Sequence, residues 1–249
     1  MTRSVWIGVV TIAVLAGSRS VAAQTLDETR VLVSVNGGFQ PTRNDFSQTL
    51  PFTINVEQGS SATSYDLPGA PLADVGFNLR IASRFGAGIA GGGAALKGHG
   101  AVTARIPHPL YFDKARDVTG TSGNLDRTEA SVHAQGAYWW PASDRLLIIL
   151  SGGPSLFIVN QEFTTTVHYS EQYPFDTATF TSVDVERKNA RRVGFNAGVD
   201  LTYRLSRRFG VGAIVRYSRA KVEFNKGQES KVSVNAGGVQ AGGGIRLLF

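Results

Sequence analysis

Glu129, Ser131 and His133 follow one another at intervals of two residues. That spacing places all three side chains on one face of a β-strand. Together they are the residue types of acyl transfer: a hydroxyl nucleophile, an imidazole base and a carboxylate to orient it. Gln135 continues the same face, and the surrounding alternation aims the set inward, away from any large substrate. A polar interior is therefore the expected role, and no catalytic residue is assigned. The four histidines, His99, His108, His133 and His168, share no HxH or HExxH spacing, so neither a metal site nor a cofactor is expected. Gly91-Gly92-Gly93 and Gly242-Gly243-Gly244 invite a phosphate-loop reading, but neither leads into Lys-Ser/Thr or a helix start. The remaining chemistry is basic. Arg187, Lys188, Arg191 and Arg192, with Arg219 and Lys221, are types that hold phosphates, Arg by paired hydrogen bonds and Lys as a point charge.

The elements that position these residues alternate with period 2. From Val193 to Leu205 every odd position is apolar, while Gly194, Asn196, Gly198, Asp200, Thr202 and Arg204 fill the even ones. A helix does not produce that pattern. Eight strands are predicted: about 31–40, 74–82, 85–95 (extending as far as 106), 128–140, 146–168, 183–205, 211–224 and 232–249. Short turns recur at Ser83–Gly86, Ala142–Arg145 and Ser206–Gly210. Long polar stretches separate the other strand pairs, and the first of these, 41–71, holds a candidate hairpin of 52–57 against 62–66. Leu146–Leu150 is apolar on both parities, and Pro154 cannot donate a ladder bond. Trp139, Trp140 and Tyr138 precede a short turn, where an interfacial aromatic girdle is expected, with a buried tryptophan pair as the alternative.

Composition narrows the class. The chain has no cysteine and a net charge of +6, with no basic run of the kind that binds nucleic acid. The 29 glycines among 249 residues lie inside periodic segments, where strands curve or pack closely. Residues 1–23 have the anatomy of a signal peptide, with Arg3, an apolar run over 5–16 and Val21-Ala22-Ala23 at the cleavage site. Residues 24–249 then form one domain.

The final strand, Val239–Phe249, alternates up to a terminal aromatic. With the leader, the even strand count and the contrast of short turns with long loops, it resembles the small bacterial outer-membrane β-barrel superfamily, the eight-stranded type of the OmpA and OmpX transmembrane domains. The fold class expected is all-β: a closed antiparallel eight-stranded up-and-down transmembrane barrel with long extracellular hairpins. The resemblance implies that Phe249 is part of the signal read by the barrel assembly machinery, and that the barrel is a monomer in contact with outer-membrane lipid and lipopolysaccharide.

In that architecture Asn78, Arg80, Gln135, Asn196, Asp200, Thr202, Arg204, Arg216, Gln240 and Arg246 line a polar lumen. Four arginines face one assigned carboxylate, Asp200, so further acids or water must complete a hydrogen-bonded plug. Strands longer than the roughly 10 residues that span a bilayer should rise as a crown, with the basic set near the outer-leaflet phosphates. The expected function is a non-enzymatic envelope barrel acting through its crown in envelope integrity or surface interactions. A narrow pore, or a route for small hydrophobic molecules, is the alternative. A soluble barrel of the lipocalin kind ranks third, because it needs the reverse polarity of the 193–205 strand.

Overall fold

The computed structural model describes residues 29–226 and 230–249; the expected leader and its cleavage after Ala23 lie outside them. Ten strands follow in order: β1 (Val31–Gln40), β2 (Phe46–Ile54), β3 (Glu57–Asp66), β4 (Ala70–Ala82), β5 (Phe85–Pro107), β6 (Ala115–Pro141), β7 (Leu146–Glu171), β8 (Ala178–Arg204), β9 (Phe209–Lys226) and β10 (Ser230–Leu248). Eight of them close an antiparallel ring, β1-β4-β5-β6-β7-β8-β9-β10, with β10 paired back to β1. Closure leaves no strand edge along the ring, which is the condition for a sheet to cross a bilayer.

The wall reads as a membrane barrel because its polarity is inverted. In the lower part of the wall, the odd positions of β4 (75–81), β8 (193–203), β9 (209–217) and β10 (239–247) point outward and, Gly243 apart, are apolar or aromatic. Phe77, Ile81, Phe85, Ile89, Phe195, Leu205, Phe209, Val215 and Ile245 are all exposed. In water, so continuous an apolar belt would drive association; against acyl chains it is the required surface.

Several strands are longer than the sequence pattern predicts. β6 begins at Ala115 rather than near 128, β8 at Ala178 rather than 183, and β4 at Ala70 rather than 74. The extra residues of β6 and β8 are mostly polar and break strict alternation, so periodicity does not mark them, yet they pair in the crown, while the start of β4 pairs with the end of β1. The hairpin in the first long loop is also larger than expected. β2 and β3 pair from Phe46↔Tyr65 to Ile54↔Glu57, around a two-residue turn in which Asn55 and Val56 both have positive φ, at 52° and 64°. Pairs of positive φ match the twist of a tight hairpin, although Val56 is an unusual residue for it. β3 then pairs with β5 from Ser60↔Arg105 to Asp66↔His99, above the level at which β4 leaves β5. The hairpin thus continues the wall upward. Pro154 stays in β7, where pairing with β6 skips from His133↔Ser155 to Gly136↔Gly152. The missing donor falls at an interruption of the ladder.

Above the membrane the ring parts. β6 leaves β7 beyond Arg127↔Gln161, β8 leaves β9 beyond Phe195↔Arg219, and β1 leaves β10 beyond Phe39↔Ala241. The ribbons lean together over an apolar roof of Ala104, Ile106 and Val118, covered by Phe52, Val167, Tyr169, Ala178 and Phe180. Gly237 and Gly238, at φ 82° and 142°, bend β10 where it passes from barrel to crown, a conformation that glycine adopts without strain.

Candidate functional site

The interior is layered. Its floor, near the short turns, is an apolar cluster of Leu32, Ala137, Trp139, Leu147, Ile149 and Leu248. This layer accounts for two irregularities of the sequence. Leu248 breaks the polar parity of β10 because it joins the floor, and 146–150 is apolar on both parities because Leu147 and Ile149 face the floor while Leu150 faces lipid. It also corrects the aromatic girdle. Trp139 is fully buried in the floor, with Arg80 6.0 Å from its ring centroid, while Trp140 is half exposed on the outer surface.

The middle layer is polar. Arg246 is fully buried and grips Asp200 with Nε at 3.1 Å from Oδ1 and NH2 at 2.9 Å from Oδ2. Its NH1 donates to Asn36 Oδ1 at 2.7 Å, Asn36 Nδ2 donates to Asp74 Oδ1 at 3.2 Å, and Arg216 NH1 donates to Asp74 Oδ2 at 2.5 Å. Thr202 Oγ1 donates to Asp200 at 2.9 Å. The network spans β1, β4, β8, β9 and β10 and pairs charges that would otherwise be costly to bury. Asp74 is the partner that the sequence reading missed: it shares the parity of Asn78 but lies at the polar start of the predicted strand. Arg127 was missed too. It is fully buried, 2.6 Å from Glu129 Oε1, and donates to the Asn235 carbonyl at 2.6 Å.

The structure places Asn78, Gln135, Asn196, Asp200, Thr202, Arg216 and Arg246 as buried inward groups, and Gln240 as a partly buried one that donates to Gln40 at 3.0 Å. Arg80 and Arg204 sit at the mouth nearest the short turns, where Arg204 donates to the Asp144 carbonyl at 2.8 Å. Ser131 Oγ lies 3.0 Å from His133 Nε2, but His133 Nδ1 faces Ser155 Oγ at 2.7 Å rather than a carboxylate. Gln135 donates to Asn196 at 2.6 Å, and Asn196 donates to Ser155 at 2.8 Å, completing the packing of these groups. Gly91–Gly93 and Gly242–Gly244 are staves of β5 and β10.

The upper layer is apolar again: Leu125, Phe157, Val159, Phe163, Val222, Phe224, Val232 and Val234 pack with Tyr65. Burial raises the Tyr65 phenol above 10.0.

The basic set divides. Arg187 lies 2.8 Å from Glu162 and 3.7 Å from Asp126, Lys188 3.3 Å from Glu186, and Arg192 3.8 Å from Glu223. The last pair joins β8 to β9 beyond the end of their backbone ladder. Arg191, Arg219 and Lys221 are exposed and make no ion pair among the described residues.

The hairpin tips form one clasped platform. Arg116, almost fully buried, donates to Glu171 at 2.5 Å, to the Phe175 carbonyl at 2.9 Å and to the Pro107 carbonyl at 3.0 Å. The Asp113 N–H donates to Glu57 at 2.7 Å, tying in the β2–β3 tip. Lys114 donates to Asp176 at 2.9 Å, and this hydrogen bond holds the Asp176 carboxyl below 3.8. The depressed pKa makes the contribution complete above the ordinary carboxylate value and lost as pH falls through the folded one. Because both groups are exposed, the effect is small. Pepsin cleavage at 109–113 should therefore rise at most a few-fold as pH falls from about 4 to about 2, and Lys114→Gln should remove that share of the rise. Val56, Leu110, Tyr111, Phe112 and Tyr173 stand exposed on the platform.

A closed antiparallel ring with an apolar outer belt around a buried polar layer has the build of an integral β-barrel of the bacterial outer membrane, an architecture in which short turns face the periplasm. No protein-family model matches the chain, and no curated protein matches it. Among solved structures it is similar to the outer membrane protein OprG from Pseudomonas aeruginosa, at 10% identity over 88% of this chain and 96% of that one, with a TM-score of 0.45. It is similar to Ail, the attachment invasion locus protein of Yersinia pestis, at 9% identity over 87% and 99%, TM-score 0.36. It is also similar to the outer membrane protease OmpT from Escherichia coli, at 7% over 92% and 99%, TM-score 0.43.

Proposed function

We propose that this chain is a non-enzymatic outer-membrane barrel that acts through its crown, presenting an apolar and aromatic platform to surface partners. The observation that carries this reading is the platform itself: three hairpin tips locked together by Arg116, Lys114 and Asp113, with Leu110, Tyr111, Phe112 and Tyr173 exposed. The ion-paired layer below favours a barrel that does not conduct. The test replaces Leu110, Tyr111, Phe112 and Tyr173 by Ser. The variant barrel should fold and show heat-modifiable migration, both proteins should lack large stable conductance, and surface attachment of expressing cells should fall several-fold. Attachment equal to wild type would overturn the reading.

A second reading, a lateral route for small hydrophobic molecules, is favoured by two observations: the apolar upper layer and the end of the β8–β9 ladder at Phe195↔Arg219. Proteoliposomes that admit a hydrophobic dye several-fold faster than protein-free vesicles would favour it over the first.

The outer rim is read as a contact for lipopolysaccharide phosphates. The neighbouring carboxylates of Arg187, Lys188 and Arg192 leave Arg191, Arg219 and Lys221 as its effective members. Replacing these three with Gln should lower the lipid A that copurifies with the folded barrel several-fold; unchanged lipid A content would remove the assignment.

A further inference from the structure

The periplasmic end is charged unlike any other part of the molecule. Arg30, Arg80, Arg84, Arg145, Arg204, Arg207 and Arg208 gather there, with Asp144 as the acidic side chain among the described residues of that rim. Among the described side chains of that rim, seven guanidinium groups stand against one carboxylate. In the crown, by contrast, Lys114, Arg116, Arg187, Lys188 and Arg192 are each beside a carboxylate. Asp27 and Glu28 precede Arg30 in the sequence and lie outside the described residues. The rim is also arginine alone: all six lysines, at 97, 114, 188, 221, 226 and 231, belong to the upper half. Arginine differs from lysine in its planar fork, which matches two phosphate oxygens at once.

The backbone orders these arginines into an arc. The Arg80 N–H donates to the Arg30 carbonyl at 2.7 Å, the Arg30 N–H to Phe249 at 2.8 Å, the Leu248 N–H to Arg208 at 2.9 Å, and the Arg204 N–H to Arg145 at 2.8 Å. Arg30, Arg80 and Arg84, with Ser83, line a recess of about 370 Å³. The level of the arc is set by outward aromatics beside it, Phe85, Trp140, Tyr203 and Phe209. Aromatics of this kind mark the membrane–water interface, so the guanidinium groups stand at headgroup depth.

We propose that this rim is a binding site for the phosphate of anionic phospholipid headgroups in the periplasmic leaflet. The assignment rests on the short turns facing the periplasm. Among their contacts, Arg80 lies over the Trp139 face, Arg84 donates to Tyr138 Oη at 3.4 Å and Arg204 to the Asp144 carbonyl at 2.8 Å, while Arg207 and Arg208 stand exposed in the turn between β8 and β9.

The test uses Trp140 as reporter. The full barrel is reconstituted in vesicles that contain either brominated phosphatidylglycerol or brominated phosphatidylcholine, and quenching gives the relative affinity of the rim for the two lipids. Wild type should prefer the anionic lipid by roughly five- to ten-fold at low salt, less at high salt. Arg207→Gln with Arg208→Gln, both exposed in the turn, should cut the preference at least two-fold. Adding Arg30→Gln and Arg84→Gln should bring it near one. Equal quenching by both lipids in wild type, or a preference unchanged in the four-fold variant, overturns the site. Loss of the preference on adding glycerol phosphate at millimolar concentration would reassign the rim to soluble phosphates. Capture of peptidoglycan fragments by a barrel without lipid preference would reassign it to the wall polymer. Absence of quenching by either lipid would instead show that Trp140 does not face the bilayer, a failure of the barrel's placement rather than of the phosphate chemistry.

Discussion

Arg246→Met should destabilise the folded barrel by about 3–5 kcal/mol, the cost of leaving one member of a buried ion pair alone. Arg246 is fully buried, and both oxygens of Asp200 lie within 3.1 Å of its guanidinium. Removing it strands that carboxylate in the lumen and deprives Asn36 of a donor at 2.7 Å. Urea titration in lipid vesicles, read through Trp139 in the floor below, measures the loss. Adding Asp200→Asn should restore at least half of it, because the second change removes the orphaned charge. A midpoint of Arg246→Met equal to wild type would show that water, rather than the arginine, satisfies Asp200.

The second large effect concerns the crown. Arg116→Ala removes one hydrogen bond to a carboxylate and two to carbonyls, from a side chain that is almost fully buried. Loss of such a set costs about 2–4 kcal/mol of local opening free energy. Cleavage at 109–113 and 173–176 should then accelerate by roughly 30- to 1000-fold where opening precedes cutting. Heat-modifiable migration of the barrel should be unchanged. Arg116→Lys should recover only part, since a single ammonium cannot span Glu171, Phe175 and Pro107 together. Equal digestion of variant and wild type would mean that the tips are held by the apolar roof instead.

The alternating strands carried the closed ring and most of the lumen in the sequence itself. A period of 2 separates inside from outside wherever one face is apolar, and this placed Asn78, Asn196, Asp200 and Arg216 inward without coordinates. The pattern failed where one face is mixed or where both faces share a character. The extension of β6 below residue 128 buries a mixed inward face, Arg116, Val118, Ser122, Leu125 and Arg127, whose polar members and loss of strict alternation at Gly123-Asn124 made it read as loop. The floor is apolar on both sides because lipid lies outside it and Trp139 inside, so Leu147 and Leu248 read as irregularities. Pairing of charges was the least legible feature. Asp74 and Arg216 are 142 positions apart, and nothing local to either indicates that they meet. Likewise the carboxylates beside Arg187 and Arg192 come from neighbouring strands, so the basic set appeared more uniform in one dimension than it is in three.

The seam between β1 and β10 has a consequence for the order of assembly. Asn36 and Arg246, which join hands across it, are separated by 210 positions, and the seam they belong to closes the longest-range pairing in the ring. Every other neighbouring pair in the ring is a hairpin or a short crossover and can zip locally; this one must wait for all of them. Until it forms, the protein is an open sheet with two bare edges, which neither lipid nor water leaves alone for long. Arg246 therefore acts on time as well as on stability. A barrel that lacks it should spend longer as an open sheet, and crowding in that interval, rather than unfolding afterwards, would set how much protein reaches the membrane.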